Sequence, residues 1–271
     1  MADRPLPFDA RRFAVREVGV GHVGRWLALG WRDLWRCPVP GLLHGLSATT
    51  FGLAAWLLAY DLFWVLAGAF SGFLLVAPIT ATGVYELSRR LEAGARPGLQ
   101  DSLRVWRGRD PRLMHFGVLL AFAGTGWVMT SASLVTVFAG APIERPLDFL
   151  RLIVLADRGW LFEIWLVLGA LLAAPVFASS VIAIPLLLDR DATVLEAVLA
   201  SWRAVLASPA PLALWAAVIL GLTLLAMTPL LLGLVLVVPW LGHASWHAYR
   251  DIVDPGPPAP PDGTAPAPTR R

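Results

Sequence analysis

Apolar runs long enough to cross a bilayer dominate the chain, and they come in pairs. Runs at about 41–59 and 62–84 are separated only by Tyr60-Asp61, and runs at about 113–139 and 161–188 by a longer polar stretch. Residues 211–248 form one apolar block. Because roughly 20 helical residues cross a hydrocarbon core of about 30 Å, that block is too long for one span. Thr228-Pro229 is its natural break, which gives spans at about 211–227 and 229–248. The short Tyr60-Asp61 link forces an antiparallel hairpin, with Asp61 placed to cap its second helix. The pattern predicts an all-α polytopic membrane protein of six transmembrane helices arranged as three hairpins.

Ahead of each hairpin the pattern changes to a helical period with one apolar side. Around Leu27–Pro40, Trp26, Leu27, Gly30, Trp31, Leu34 and Trp35 fall on one side of a helical wheel, while Arg25, Arg32 and Arg36 fall on the other. Trp rings suit the headgroup layer and Arg heads suit anionic lipid, so this segment reads as an in-plane amphipathic helix on the cytoplasmic face that ends at Cys37-Pro38. A second copy lies in 89–112, where Leu99, Leu103 and Trp106 oppose Arg104 and Asp110-Pro111 provides a cap followed by proline. In the third, Leu195, Val198, Leu199, Trp202 and Leu206 oppose Glu196 and Arg203, and Thr193 with Glu196 fits a capping box. Ser201-Trp202-Arg203 precedes Pro209 as Gly30-Trp31-Arg32 precedes Pro38, and Pro78, Pro185 and Pro239 sit near the inner ends of their spans. The reading is three degenerate units of surface helix plus hairpin. GxxxG spacings at Gly41/Gly45 and Gly68/Gly72 predict close backbone approach.

Composition agrees with this picture and sets its orientation. With 57% apolar residues and a mean hydropathy of +0.67, the chain is too apolar for an ordinary soluble domain. Its net charge of +3 comes from basic residues that flank apolar runs, which is the positive-inside pattern and excludes a nucleic-acid partner. Only Arg145, Arg151 and Arg158 fall in a segment expected outside. All 22 basic residues are Arg, which points to a GC-rich bacterial genome. The expected setting is the bacterial inner membrane, both termini cytoplasmic, without a cleaved signal, the first span serving for insertion. The domain reading is a polar segment 1–20, a membrane domain 21–253 and a disordered Pro-rich tail 254–271.

Candidate chemistry is sparse. The predicted span interiors offer only Ser and Thr, such as Thr49, Thr125, Ser131, Ser179 and Thr223, which argues against a proton- or ion-coupled pump. His243 and His247 stand four apart on one helix face, a spacing suited to a metal or a haem edge, but without the Glu of a hydrolase motif. The lone Cys37 excludes an intramolecular disulfide and a Cys-cluster metal site. No catalytic constellation is present, so a non-enzymatic protein without a cofactor is expected. The Arg-rich helices, the proline breaks and every histidine converge on the inner leaflet. A cytoplasmic-face patch is therefore predicted at Tyr85, Glu86, Arg89, Asp189, Arg190 and Arg250, beside His243 and His247. It suits an anionic headgroup or a partner's acidic segment, unless Glu86 and Asp189 simply pair with neighbouring arginines to hold the units together.

Five blocks resemble a bacterial family of predicted integral membrane proteins, domain of unknown function 2189. They are GWRDLWRCP, GFLLVAPITATGVYELSRRLEAG at 72–94, SVIAIPLLLDRD at 180–191, LASWRAVLASPAPLALWAAVI at 199–219 and VVPWLGHASWHAYRDIV at 237–253. The resemblance implies no reaction, ligand or catalytic residue. The function expected is an accessory or scaffold protein binding a membrane partner or lipid. The alternatives are a passive small-solute transport protein and a metal- or haem-binding protein through His243 and His247.

Overall fold

The computed structural model describes residues 12–69, 81–108, 110–156 and 160–254. Residues 70–80 of the run expected at 62–84, Gly72 and Pro78 among them, lie outside these residues. So do residues 1–11 and 255–271. The described chain is helical with no strands, apart from one isolated antiparallel bridge between Val15 and Val253.

The helices follow the predicted order. A first helix, α1 (Gly21–Arg36), leads through Cys37 into α2 (Pro38–Ala59), and a helical stretch at 63–69, α3, follows. Next come α4 (Thr82–Glu92), α5 (Leu99–Arg107) and α6 (Pro111–Phe138). A short α7 (Pro146–Phe149) runs into a π turn at Leu150–Val154. The remainder is α8 (Trp160–Ser180), α9 (Ala183–Asp189), α10 (Val194–Ala207), α11 (Pro209–Met227) and α12 (Leu234–Ile252). Each of α2, α6 and α11 begins with proline, whose fixed φ suits a first helical turn and whose missing N–H has no partner to lose there. The α1–α2 and α10–α11 junctions have nearly the same backbone: Cys37 at φ −139°, ψ 64° and Ser208 at φ −136°, ψ 61°.

By length and composition, four helical stretches among the described residues are apolar enough to cross a membrane: Pro38–Ala59, Pro111–Phe138, Trp160–Asp189 and Pro209–Met227. Their outward surfaces are apolar, with Leu57, Phe122, Leu171 and Leu225 exposed. The stretch expected at 161–188 is not one regular helix. Pro185 offers no N–H to the preceding turn, the helix breaks after Ser180, and the Ile182 amide donates instead to Ser201 Oγ at 3.1 Å.

The run expected at 229–248 departs from its reading most. Residues 228–233 form a turn in which Leu230 and Leu231 take positive φ, 49° and 65°, and α12 starts only at Leu234. Among the described residues α12 is the helix on which α1, α2, α4, α9 and α11 all pack. Close packing requires glycine at the contacts. A Cβ at Gly30 would stand 2.5 Å from the Ala244 nitrogen, and one at Gly45 would fall on the Val235 carbonyl. The Gly41/Gly45 pair thus performs the close approach its spacing predicts. Among the described residues a Cβ at Gly68 would meet only Val128, at 3.9 Å.

The surface helices divide their residues differently from the wheel reading. Trp26, Gly30 and Leu34 are buried against the protein, and Trp26 packs edge-on to Trp215 with centroids 5.7 Å apart. Trp26 is therefore a core residue and not part of the headgroup-facing stripe, because α12 claims its side of α1. Trp31 and Trp35 remain exposed at 39% and 54%, Trp106 at 50% and Trp202 at 38%. In α10 the inward face is small, made of Ala197, Ala200, Ser201 and Ala204, while Leu195 and Leu206 point outward.

Candidate functional site

Three polar assemblies occupy one end of the bundle. The first centres on Asp33, which sequence reasoning passed over. Asp33 follows Trp26 by seven residues and Gly30 by three, so helical spacing places it on the same buried face. His247 Nε2 lies 2.7 Å from Asp33 Oδ2, and Ser88 Oγ donates to the same oxygen at 3.1 Å. His243 Nδ1 is 2.7 Å from Ser88 Oγ. Since the Ser88 hydroxyl gives its proton to the carboxylate, Nδ1 of His243 is the donor to Ser88. The network ties α1, α4 and α12 together, with Asp33, Ser88 and His243 all buried. Burial pushes the Asp33 carboxyl up, but the hydrogen bond and charge of His247, aided by His243 and Ser88, hold it below its ordinary value. At the end of α1, burial and then the Asp33 charge push the Cys37 thiol up to about 11.

The two histidines singled out from the sequence thus meet one carboxylate by different routes, His247 directly and His243 through Ser88. His243 Nε2 is buried without a hydrogen-bond partner among the described residues. No group of three or more His, Cys, Asp or Glu arranged to hold a metal ion occurs among the described residues.

The second assembly contains the rest of the predicted patch. Glu86 is buried and takes Arg89 on both oxygens, Nε at 2.7 Å and Nη2 at 3.0 Å, and Arg90 Nε at 2.7 Å. Asp189 Oδ2 accepts from Tyr249 Oη at 2.7 Å and faces Arg190 at 3.2 Å and Arg250 at 3.6 Å. Arg250 also donates to Glu92 at 3.1 Å, and Trp246 Nε1 donates to the other Glu92 oxygen at 3.2 Å. Arg89 feels the Asp189 charge as well as that of Glu86. Glu86, Arg89, Asp189, Arg190 and Arg250 are brought together, joining α4, α9 and α12, and each arginine faces a carboxylate of the chain itself. Burial pushes Tyr85, beneath them, up to about 12.

The third assembly was not legible from spacing. Arg112, one residue into α6, donates to Leu187, Arg190 and Ala192 carbonyls at 3.4, 3.2 and 3.0 Å, while its guanidinium pairs with Asp110 at 2.8 Å. A cation there gives a further partner to carbonyls at and just beyond the end of α9 and complements that end of the helix dipole. Asp110 also caps α6 through the Arg112 amide at 2.8 Å, the cap its sequence predicted, and the Arg112 side chain holds its carboxyl below the usual range.

Around this end runs a strap formed by residues 12–20. Arg16 N donates to the Ile252 carbonyl at 2.8 Å and Asp254 N to the Ala14 carbonyl at 3.0 Å. Arg203 Nη2 donates to the Phe13 carbonyl at 3.1 Å, Val18 N to Ser208 Oγ at 3.0 Å, and Arg12 stands 3.8 Å from Glu196. Residues 12–20 of the segment read as a polar N-terminal stretch are therefore docked on α10 and on the end of α12. Glu196, read as lying opposite the apolar face of the third surface helix, is buried, and it closes the expected capping box by accepting from the Thr193 amide at 2.8 Å.

Residues 65–189 match the model of a family described as predicted integral membrane protein (DUF2189). No curated protein and no solved structure matches the chain.

Proposed function

The chain is an integral membrane protein carrying a domain of unknown function, and from that premise we propose that it is a non-enzymatic accessory or scaffold protein of the bacterial inner membrane, binding a membrane partner or lipid. In this reading six spans form three hairpins, and α1, α5 and α10 lie in the plane of the inner leaflet. Both termini are cytoplasmic. The observation that carries it is how the polar groups are used: Asp33, Glu86, Asp189 and Arg112 are each engaged with groups of the same chain at one end of the bundle. Reactive chemistry needs a polar group whose partner is the substrate, whereas these groups are taken up by residues of the chain itself.

Reporter fusions test the architecture. Fusions at Asp61 and Asp148 should report outside, and fusions at Leu99, Thr193 and Asp254 inside. A C-terminal fusion reporting outside would sink the six-span arrangement. Crosslinking in cells followed by identification of the captured membrane protein tests the scaffold role. Capture of none, together with turnover of a solute or substrate by the purified chain, would overturn it.

A further inference from the structure

The two junctions with matching backbones invite comparison of the helices that precede them. Trp31-Arg32 stands before Pro38 as Trp202-Arg203 stands before Pro209, and both tryptophans are exposed. Their arginines differ in what they meet. Arg203 gives its guanidinium to the Phe13 carbonyl of the strap, at 3.1 Å, and to Leu199 at 3.4 Å. Arg32 is exposed and has no hydrogen-bond or ion-pair partner among the described residues, and Arg36 has only Asp33 at 4.0 Å. The strap that satisfies Arg203 offers Arg32 no acceptor among the described residues.

We infer that the exposed face of α1 bearing Trp31, Arg32, Trp35 and Arg36 seats the phosphate of an acidic phospholipid, taking at α1 the place that the strap carbonyl takes at α10. This rests on the proposed placement of α1 in the leaflet plane. Two guanidinium forks one helical turn apart match phosphate oxygens in charge and geometry. Trp31 and Trp35 stand edge to face at 5.6 Å, an indole ledge of the kind that settles at headgroup depth. Past Cys37 along the chain, Val39, Leu43 and Leu46 on α2 are exposed, an apolar path for the acyl chains of the same lipid. Charge and apolar surface therefore follow one another in the order in which a lipid presents phosphate and chain. An acidic protein segment would meet the arginines but has no use for the Val39–Leu46 track.

The test is lipid retention by the purified full chain in nanodiscs of mixed phosphatidylglycerol and phosphatidylcholine, read by native mass spectrometry. Wild type should enrich phosphatidylglycerol, and Arg32→Gln/Arg36→Gln should lose roughly fivefold per charge removed. Arg203→Gln should retain as much as wild type, because its partner is the strap. Arg32→Lys/Arg36→Lys, which keeps the charges and loses the forks, should retain more than the double Gln variant and less than wild type, and raising salt should erode the enrichment in the wild type, a readout that holds if the double Gln variant does not fold. Equal retention of the two lipids by wild type would overturn the inference. So would an unchanged double Gln variant, loss in Arg203→Gln as large as in the double variant, or full displacement by millimolar inorganic phosphate. Reporter topology is unaffected by any of these outcomes, so a failed lipid seat leaves the six-span reading standing, and an outward C-terminus leaves the nanodisc result intact.

Discussion

Asp33 and His247, separated by most of the chain, meet at 2.7 Å through a carboxylate oxygen that also accepts from Ser88. The pair fixes the first helix to the last, and it does so with both groups largely removed from water. A buried carboxylate is tolerable only while its partners are in place.

Replacing Asp33 should therefore be costly. Asp33→Ala leaves Ser88 and His247 without their acceptor, and a loss of about 3–5 kcal/mol is expected for breaking a buried pair. Asp33→Asn, which keeps an acceptor, should lose less. Thermal unfolding in detergent measures both, and Asp33→Ala melting with the wild type would refute the role assigned to the network.

The same carboxylate gives a pH dependence with a definite sign. Its folded-state value is depressed, so its contribution is fully present above the ordinary Asp value of about 3.9 and is lost as pH falls below it through the folded-state value. Melting temperature should drop between about pH 4 and lower pH, more shallowly in Asp33→Asn. Asp110 titrates in the same direction and should supply the residual slope. Identical slopes in variant and wild type would count against the assignment.

Cys37 provides an independent probe of the same place. Its thiol is buried and pushed up to about 11, so little thiolate exists at pH 8. Maleimide labelling of the folded protein should be slow and should become fast on unfolding. Asp33→Asn should speed it by removing the charge that opposes the thiolate. Rapid labelling of the native wild type would contradict the packing of the α1–α2 junction.

Glycine substitutions separate close contact from propensity. Gly45→Ala places a methyl group on the Val235 carbonyl and should cost about 1–3 kcal/mol, whereas Gly221→Ala meets nothing within 4 Å and should be neutral or stabilising. Equal melting temperatures for the two variants would remove the argument that α2 and α12 meet backbone to backbone.

Much of the architecture was readable because apolar length and proline placement are local signals. Pro38, Pro111 and Pro209 each open a helix, and Thr193 and Asp110 cap theirs as their spacing predicts. The charged residues predicted around Glu86 and Asp189 do lie near one another, and they do so by pairing with arginines of the chain itself. What escaped was the inside of the polar end. Hydropathy ranks α12 among ordinary runs interrupted by His and Trp, and nothing local says that five helices will use it as their common neighbour. The Asp33 signal was present in its seven-residue spacing from Trp26, but the wheel assigned Trp26 to the bilayer and hid the buried face. Arg112 gave no local signal, because its acceptors are carbonyls about 75 to 80 residues away.

The place of α12 in the chain has a consequence for how the protein is made. Ribosomes deliver α1, α2, α4 and α9 before it, and each carries a surface shaped for a helix that does not yet exist. Until α12 arrives, the glycine faces of α1 and α2 are open and the Asp33 carboxylate has no imidazole to meet. The faces of α1, α2, α4 and α9 that meet α12 can close only after it is made, so assembly ends around its own centre instead of growing outward from the first hairpin.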